Sequence, residues 1–195
     1  LRDGAQTMGV DFSVADKRRI AGVLDELGLD YVEGGYPGAN PTDTELFDPR
    51  ARPHLKRATL TAFGMTKRAG RSASNDPGFQ ALLQSGADAV CLVAKSWDYH
   101  VRVALGITNA ENTAGVVESV KAVNGTGKQA MIDCEHFFDG YKANKAYALE
   151  IARTAYESGA RWVVLCDTNG GTLPHEIEAI VSEVVKVVPG DHLGI

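Results

Sequence analysis

Along the chain, short apolar runs alternate with stretches in which apolar residues recur every three or four positions. That succession predicts strand and helix in turn, and so βα units around a parallel sheet. Ser13 with Asp16 forms a capping box ahead of a helix whose apolar stripe is Ile20, Val23, Leu24 and Leu27, closed by Gly28. Tyr31-Val32-Glu33 follows as a strand, then a short helix over 43–47 and a β-branched and aromatic strand over 58–63. Asp76 caps a helix through Phe79, Leu82 and Leu83 that ends at Gly86, and 89–93 is the next strand. A second capping box, Thr108 with Glu111, opens a helix striped by Val116, Val117, Val120 and Val123; Gly125 breaks it, and 130–133 is the strand after it. A helix over 143–158 turns Ala148, Ile151, Ala152 and Ala155 inward and ends at Gly159. The run 162–166 is apolar throughout, as expected of a strand buried on both faces. Thr172 with Pro174 starts the last helix, striped by Ile177, Ile180, Val181 and Val184, and His192-Leu193-Gly194-Ile195 opens another strand.

Roughly 30 residues separate successive strands, the spacing of a barrel with one helix per strand, and a complete (β/α)8 TIM barrel needs about 250 residues. The sequence has 195. The expected fold class is therefore α/β, a truncated TIM barrel of about six βα units. Residues 1–195 then form one partial catalytic domain, from the end of a strand one to the start of a strand seven. An open doubly wound sheet fits the same alternation, but no GxGxxG turn follows a first strand to support it.

Composition narrows the partners. Hydrophobic residues at 44% and charged residues at 23% describe an ordinary globular chain. A net charge of -5, with no basic run longer than Lys17-Arg18-Arg19, lacks the electrostatic footprint of a nucleic-acid binder and favours small molecules. No apolar stretch reaches the roughly 18 to 20 residues of a membrane span and no signal peptide is present, so a cytoplasmic location is expected. Cys91, Cys134 and Cys166 each sit in an apolar run, too far apart for a CxxC site and odd in number, which predicts reduced core thiols.

In a parallel barrel the working side chains stand at the carboxyl ends of the strands. The residues predicted there are Arg2-Asp3-Gly4, Glu33-Gly34-Gly35, Lys95-Ser96-Trp97-Asp98, Asp133-Cys134-Glu135-His136 and Asp167-Thr168-Asn169-Gly170-Gly171. Charges of this density desolvate and repel one another unless a cation or an anionic ligand resolves them. A hard divalent cation, Mg²⁺ or Mn²⁺ with Zn²⁺ also admissible, takes oxygen and imidazole donors, and Asp3 is a first ligand for it. One carboxylate is not a site.

These stretches, with Tyr36-Pro37-Gly38-Ala39-Asn40-Pro41 and Phe137-Phe138-Asp139-Gly140 in the same order, resemble the successive signatures of the DRE-TIM metallolyase superfamily over essentially the whole chain. Within it, 33–41, 95–98 and 135–141 look most like citramalate synthases, relatives of 2-isopropylmalate and homocitrate synthases. The resemblance implies a Claisen condensation of acetyl-CoA with a 2-oxo acid, pyruvate first among them, followed by thioester hydrolysis. It also implies branched-chain amino-acid biosynthesis and a homodimeric full-length protein. By the same matching Asp3 binds the metal, Arg2 stabilises the negative oxygen developing at the reacting carbonyl, Glu135 moves the acetyl proton, and Thr168 holds the 2-oxo acid carboxylate. The family's metal-binding histidine pair follows a strand that begins like 192–195 and would lie beyond it, so the chain alone is expected to be inactive. A carboxyl-terminal regulatory domain, where the family has one, also lies outside.

Bland readings stand beside these. Arg2 and Asp3 together make an ordinary surface ion pair in most proteins. Glu33 is either a site-lining carboxylate or a strand-end charge, and Lys95 either a substrate or CoA contact or a solvated cation. His136 either touches substrate or supports a neighbour, and Asp133 is a candidate buried partner of Arg2. Trp97 and Tyr99 read first as packing residues, and Asn169-Gly170-Gly171 as a turn. Rival activities are a 2-isopropylmalate or homocitrate synthase, a lyase acting on a 3-hydroxy-3-methylglutaryl thioester, and a carboxyl transferase handling pyruvate. A non-catalytic paralogue that binds partners without turnover is the alternative of another class.

Overall fold

The computed structural model describes all of residues 1–195. Its strands are β1 (Tyr31–Gly35), β2 (Thr59–Met65), β3 (Ala89–Lys95), β4 (Gln129–Glu135), β5 (Trp162–Leu165) and β6 (Leu193–Gly194). They are hydrogen-bonded in sequence order, β1-β2-β3-β4-β5-β6, and the pairs β1/β2, β4/β5 and β5/β6 are parallel. An order that never reverses belongs to barrel winding; a doubly wound sheet has a point where it reverses. Two compact units divide the chain, one of Leu1–Gly64 with Ser74–Cys91 and one of Met65–Ala73 with Leu92–Ile195. No helix is long and apolar enough to cross a membrane.

The first unit holds α1 (Val14–Glu26), α2 (Pro41–Leu46) and α3 (Pro77–Gln84). Ser13 and Asp16 close the expected capping box, and Gly28 takes φ 85° just past the helix end, a conformation that favours glycine. The buried face of α1 differs from the apolar stripe. Val23 and Leu27 are exposed, whereas Lys17, Ala21 and Asp25 are buried. Polar partners explain the rotation. Lys17 Nζ donates to the Gly34 carbonyl at 3.0 Å and pairs with Asp43. The Asp43 carboxylate also accepts from the Tyr36 N–H at 2.9 Å and from Asn40 Nδ2 at 3.0 Å. A Cβ at Gly35 would overlap that carboxylate, so the glycine is what lets Asp43 reach β1.

Asp25 works as a backbone clamp, accepting the N–H groups of Lys56, Arg57 and Ala58 at 2.8, 2.8 and 2.7 Å as the chain enters β2. Those bonds hold its carboxyl below the ordinary 3.8. A carboxylate with a depressed folded-state pKa contributes stability that is present above the unfolded value and lost as pH falls through the folded one. Asp25→Asn is therefore expected to lower the urea midpoint at pH 7, with the gap from wild type closing below about pH 3.8. Parallel urea titrations at pH 7 and pH 3 check this; a gap independent of pH would show that the carboxylate charge plays no part.

The second unit holds α4 (Asp98–His100), which runs into a π-helical turn at Val101–Leu105, then α5 (Asn109–Gly125), α6 (Phe137–Ala143), α7 (Lys145–Glu157) and α8 (Pro174–Val184). Val117 of the expected α5 stripe is only half-buried, but the Thr108 and Glu111 capping box and the buried positions Val116, Val120 and Val123 are as expected. So is the inward face Ala148, Ile151, Ala152 and Ala155 of α7. Three details differ. The stretch after β4 is a separate helix, α6, and Asn144 ends it while capping α7 through the Tyr147 N–H at 3.2 Å. Burial along β5 alternates, Val163 and Leu165 fully inside and Trp162 and Val164 only in part, so its two faces are not equally covered. Thr172 does not cap α8: its hydroxyl donates to Asp167 at 2.8 Å within the preceding turn, and Glu176 accepts the Leu173 N–H instead. Cys91 and Cys134 are buried and Cys166 half-buried, and none of the three is in a disulfide. Burial pushes the Cys134 thiol far above its ordinary range, so it is inert.

Candidate functional site

In the first unit Arg2, Asp3 and Glu33 come together. The Arg2 N–H donates to the Glu33 carbonyl at 3.3 Å, which lays the amino-terminal residues beside β1. Arg2 Nε then donates to Glu33 Oε1 at 2.7 Å, and its guanidinium stacks 3.8 Å from the centre of the Phe63 ring. Nη1 faces Asp3 at 3.3 Å and Gln6 at 3.4 Å. The guanidinium is thus fixed in plane and direction by a charge on its edge and an aromatic ring on its face. Arg2 is 19% exposed and Glu33 26%, whereas the Asp3 side chain is 81% exposed. Asp3 therefore presents carboxylate oxygens to solvent, the donor type a hard cation takes. A cleft of about 470 Å³ opens beside Arg2, lined also by Gln6, Tyr36, Asn40 and Phe63.

In the second unit Lys95, Glu135, His136 and Thr168 come together, joined by His100. Lys95, the last residue of β3, pairs with Glu135, the last residue of β4. The Lys95 side chain is 16% exposed, so it is an anchored cation and not a solvated one. Ser96 Oγ donates to the Glu135 carbonyl at 2.8 Å. Behind it, the Asn112 amide donates to the Lys95 carbonyl at 2.9 Å and to the Tyr147 hydroxyl at 2.7 Å. Burial pushes that hydroxyl's pKa up to about 12, so it remains a neutral partner. These bonds fix the ends of β3 and β4 independently of the charged pair.

His136 is the one non-glycine residue with positive φ, at 53°. Its N–H donates to Thr168 Oγ1 at 2.9 Å, and its Nδ1 lies 3.5 Å from the Asp139 carboxylate, which Asn169 holds at 2.9 Å. Thr168 spends an acceptor lone pair here and keeps its hydroxyl proton for another partner. Trp97 packs on Tyr99 and His100, and the His100 and His136 rings meet edge to face, centroids 4.6 Å apart at 82°. Burial, then the nearby His136 and Lys95, lower the His100 pKa from its ordinary 6.5, so its imidazole is neutral at pH 7. Sequence reasoning missed His100, although it stands two positions past the Lys95-Ser96-Trp97-Asp98 stretch; its aromatic neighbourhood was the available signal.

Gly140 lets α6 pack against the loop after β3, since a Cβ there would lie 2.7 Å from the Ser96 carbonyl oxygen and 2.9 Å from Trp97 Cα. Both are backbone atoms. Gly140→Ala is expected to destabilise the protein by about 1–3 kcal/mol through overpacking. Chemical denaturation measures it, and a midpoint equal to wild type would show that α6 can slide.

The HMGL-like family model matches residues 1–195. The chain is 53% identical over 197 residues to (R)-citramalate synthase of Streptomyces coelicolor, covering 100% of this chain and 36% of that protein. It is 30% identical over 188 residues to a protein named probable 2-isopropylmalate synthase of Methanopyrus kandleri, covering 96% of this chain and 35% of that one. The chain thus spans about a third of the length of these relatives. Among solved structures, hydroxymethylglutaryl-CoA lyase from Pseudomonas aeruginosa superposes with a TM-score of 0.76 at 23% identity, over 98% of this chain and 63% of that one. A likeness at that identity shows the fold alone.

Proposed function

The chain belongs to the HMGL-like family, and on that premise we propose that the protein is an acyltransferase condensing acetyl-CoA with a 2-oxo acid, pyruvate to citramalate. The observation that carries this reading is the much closer likeness to (R)-citramalate synthase than to 2-isopropylmalate synthase. In the reaction the acetyl methyl loses a proton and its carbon bonds to the ketone carbon of the 2-oxo acid. The ketone oxygen takes up a proton, and water then cleaves the thioester, releasing CoA.

The roles are those the resemblance implies, and each residue's surroundings support its own. Glu135 is the carboxylate assigned to accept the acetyl proton, and the ion pair with Lys95 holds it in position. Arg2, fixed by Glu33 and Phe63, offers donors to the oxygen on which negative charge develops. Thr168 keeps its hydroxyl proton uncommitted to His136, which supports its assignment to a substrate carboxylate. A divalent cation, Mg²⁺ or Mn²⁺, would take the exposed carboxylate of Asp3 as one of its ligands and would supply Lewis-acid polarisation of the ketone.

Release of CoA from acetyl-CoA, measured on the full-length protein across a panel of 2-oxo acids with Mn²⁺ present, tests the proposal. Pyruvate is expected to give the highest kcat/KM. A preference for 2-oxoisovalerate would reassign the protein to the isopropylmalate branch, and absence of turnover with every acid would leave a binding protein.

A further inference from the structure

A strand sends successive side chains to opposite faces, so Glu135 and His136 in a continued β4 would point apart. Instead the chain turns into the left-handed region at His136, with φ 53°, and brings its ring back beside Glu135. α4 delivers His100 to the same place. One donor atom from each of His100, Glu135 and His136 lies within 4.8 Å of the other two. Nδ1 of His100 and of His136 are buried and lack a hydrogen-bond partner. Buried polar atoms are ordinarily satisfied, so an orphan nitrogen calls for an explanation.

We propose that His100, Glu135 and His136 form a cation site, distinct in its ligands from Asp3, that takes Zn²⁺ or a chemically similar transition-metal ion. Two imidazoles and one carboxylate are a borderline-soft donor set, suited to Zn²⁺ and Co²⁺ and poorly to Mg²⁺ or Ca²⁺. Metal–ligand bonds of about 2.0–2.2 Å in a tetrahedron place donors about 3.4 Å apart. The three groups close that distance by side-chain rotation, with the fourth position left to water. Asp139, held by Asn169, stands 3.5 Å from His136 Nδ1, so when it takes that N–H as outer carboxylate His136 ligates through Nε2, and the orphan nitrogen the cation itself satisfies is His100 Nδ1. The ion competes with Lys95 for Glu135, so on the acyl-transfer reading above, on which this consequence rests, occupancy withdraws the proton acceptor and slows turnover.

The test is calorimetric titration of the full-length protein with Zn²⁺ at saturating Mg²⁺, with Co²⁺ absorption as the spectroscopic readout of coordination number. A Zn²⁺-binding event that persists in Asp3→Ala is expected, with affinity lowered at least about tenfold by His100→Gln and restored by His100→Cys, whose thiolate is a zinc ligand. Four-coordinate Co²⁺ bands should vanish in His100→Gln. Circular dichroism of both variants reports on folding, and His100→Cys keeps the test alive if His100→Gln does not fold. Affinity within about twofold of wild type in the Gln variant, or an equal loss in Asp3→Ala, overturns the site. Zinc binding that depends on His100 in a protein without acyl transfer would support the site and sink the proposed activity. Acyl transfer with zinc binding indifferent to His100 would do the reverse.

Discussion

Glu135→Gln is expected to lower turnover by about 10² to 10⁴ while leaving pyruvate affinity nearly intact. Gln keeps the length of the side chain and an oxygen that Lys95 can still approach, and the Ser96 and Asn112 bonds that fix the strand ends do not involve the Glu135 side chain. Geometry should therefore survive. What disappears is basicity, so the loss should fall on the step that moves the acetyl proton. Pyruvate binding in the presence of Mn²⁺ and acetyl-CoA-dependent CoA release, measured side by side on the full-length protein, separate the two quantities. If affinity and rate fall together, Glu135 is a binding or structural residue, and His136 becomes the first candidate for the proton.

Arg2→Lys is expected to lower the rate by about 10²-fold or more, the cost of losing one donor to a developing oxyanion. Arg2 meets Glu33 on one edge, Phe63 on its face, and Asp3 and Gln6 through Nη1, all with one planar group. An ammonium is a point charge without a plane. It can keep the ion pair to Glu33 or turn toward substrate, but cannot hold both directions at once. CoA release at saturating substrate measures the effect, and a rate near wild type would reduce Arg2 to a structural partner of Glu33.

Much of the architecture was legible because its signals are local. Ser13 with Asp16, Thr108 with Glu111, and Asp76 each mark a helix start through bonds spanning two or three residues, and all three act as expected. What was not legible depends on distant partners. The face that α1 buries is set by Lys17 and Asp25, whose partners are 17 to 33 positions away, so a polar pair and a backbone clamp override the apolar stripe. α6 was hidden because its start is fixed by the left-handed turn at His136 and a bond from the Phe137 N–H to the Cys166 carbonyl. The candidate site divides in the same way. Glu33, Lys95, Glu135, His136 and Thr168 could be named from their places after apolar runs, but the pairing of Lys95 with Glu135 crosses 40 residues and that of His136 with Thr168 crosses 32. His100 follows no apolar run directly, and only the α4 turn brings it in.

The knot of Lys17, Gly35 and Asp43 has a consequence for how this sequence can drift over evolutionary time. Losing one partner of a buried pair strands the other charge, typically at about 3–5 kcal/mol, whereas replacing both with apolar groups of similar size is often neutral. A glycine with a carboxylate pressed against its Cα adds a third member to the set. Single steps away from this triple are closed, and only joint steps remain open. Across related sequences positions 17, 35 and 43 should therefore change as a block or stay fixed, while Val23 and Leu27 on the exposed side of the same helix vary one at a time.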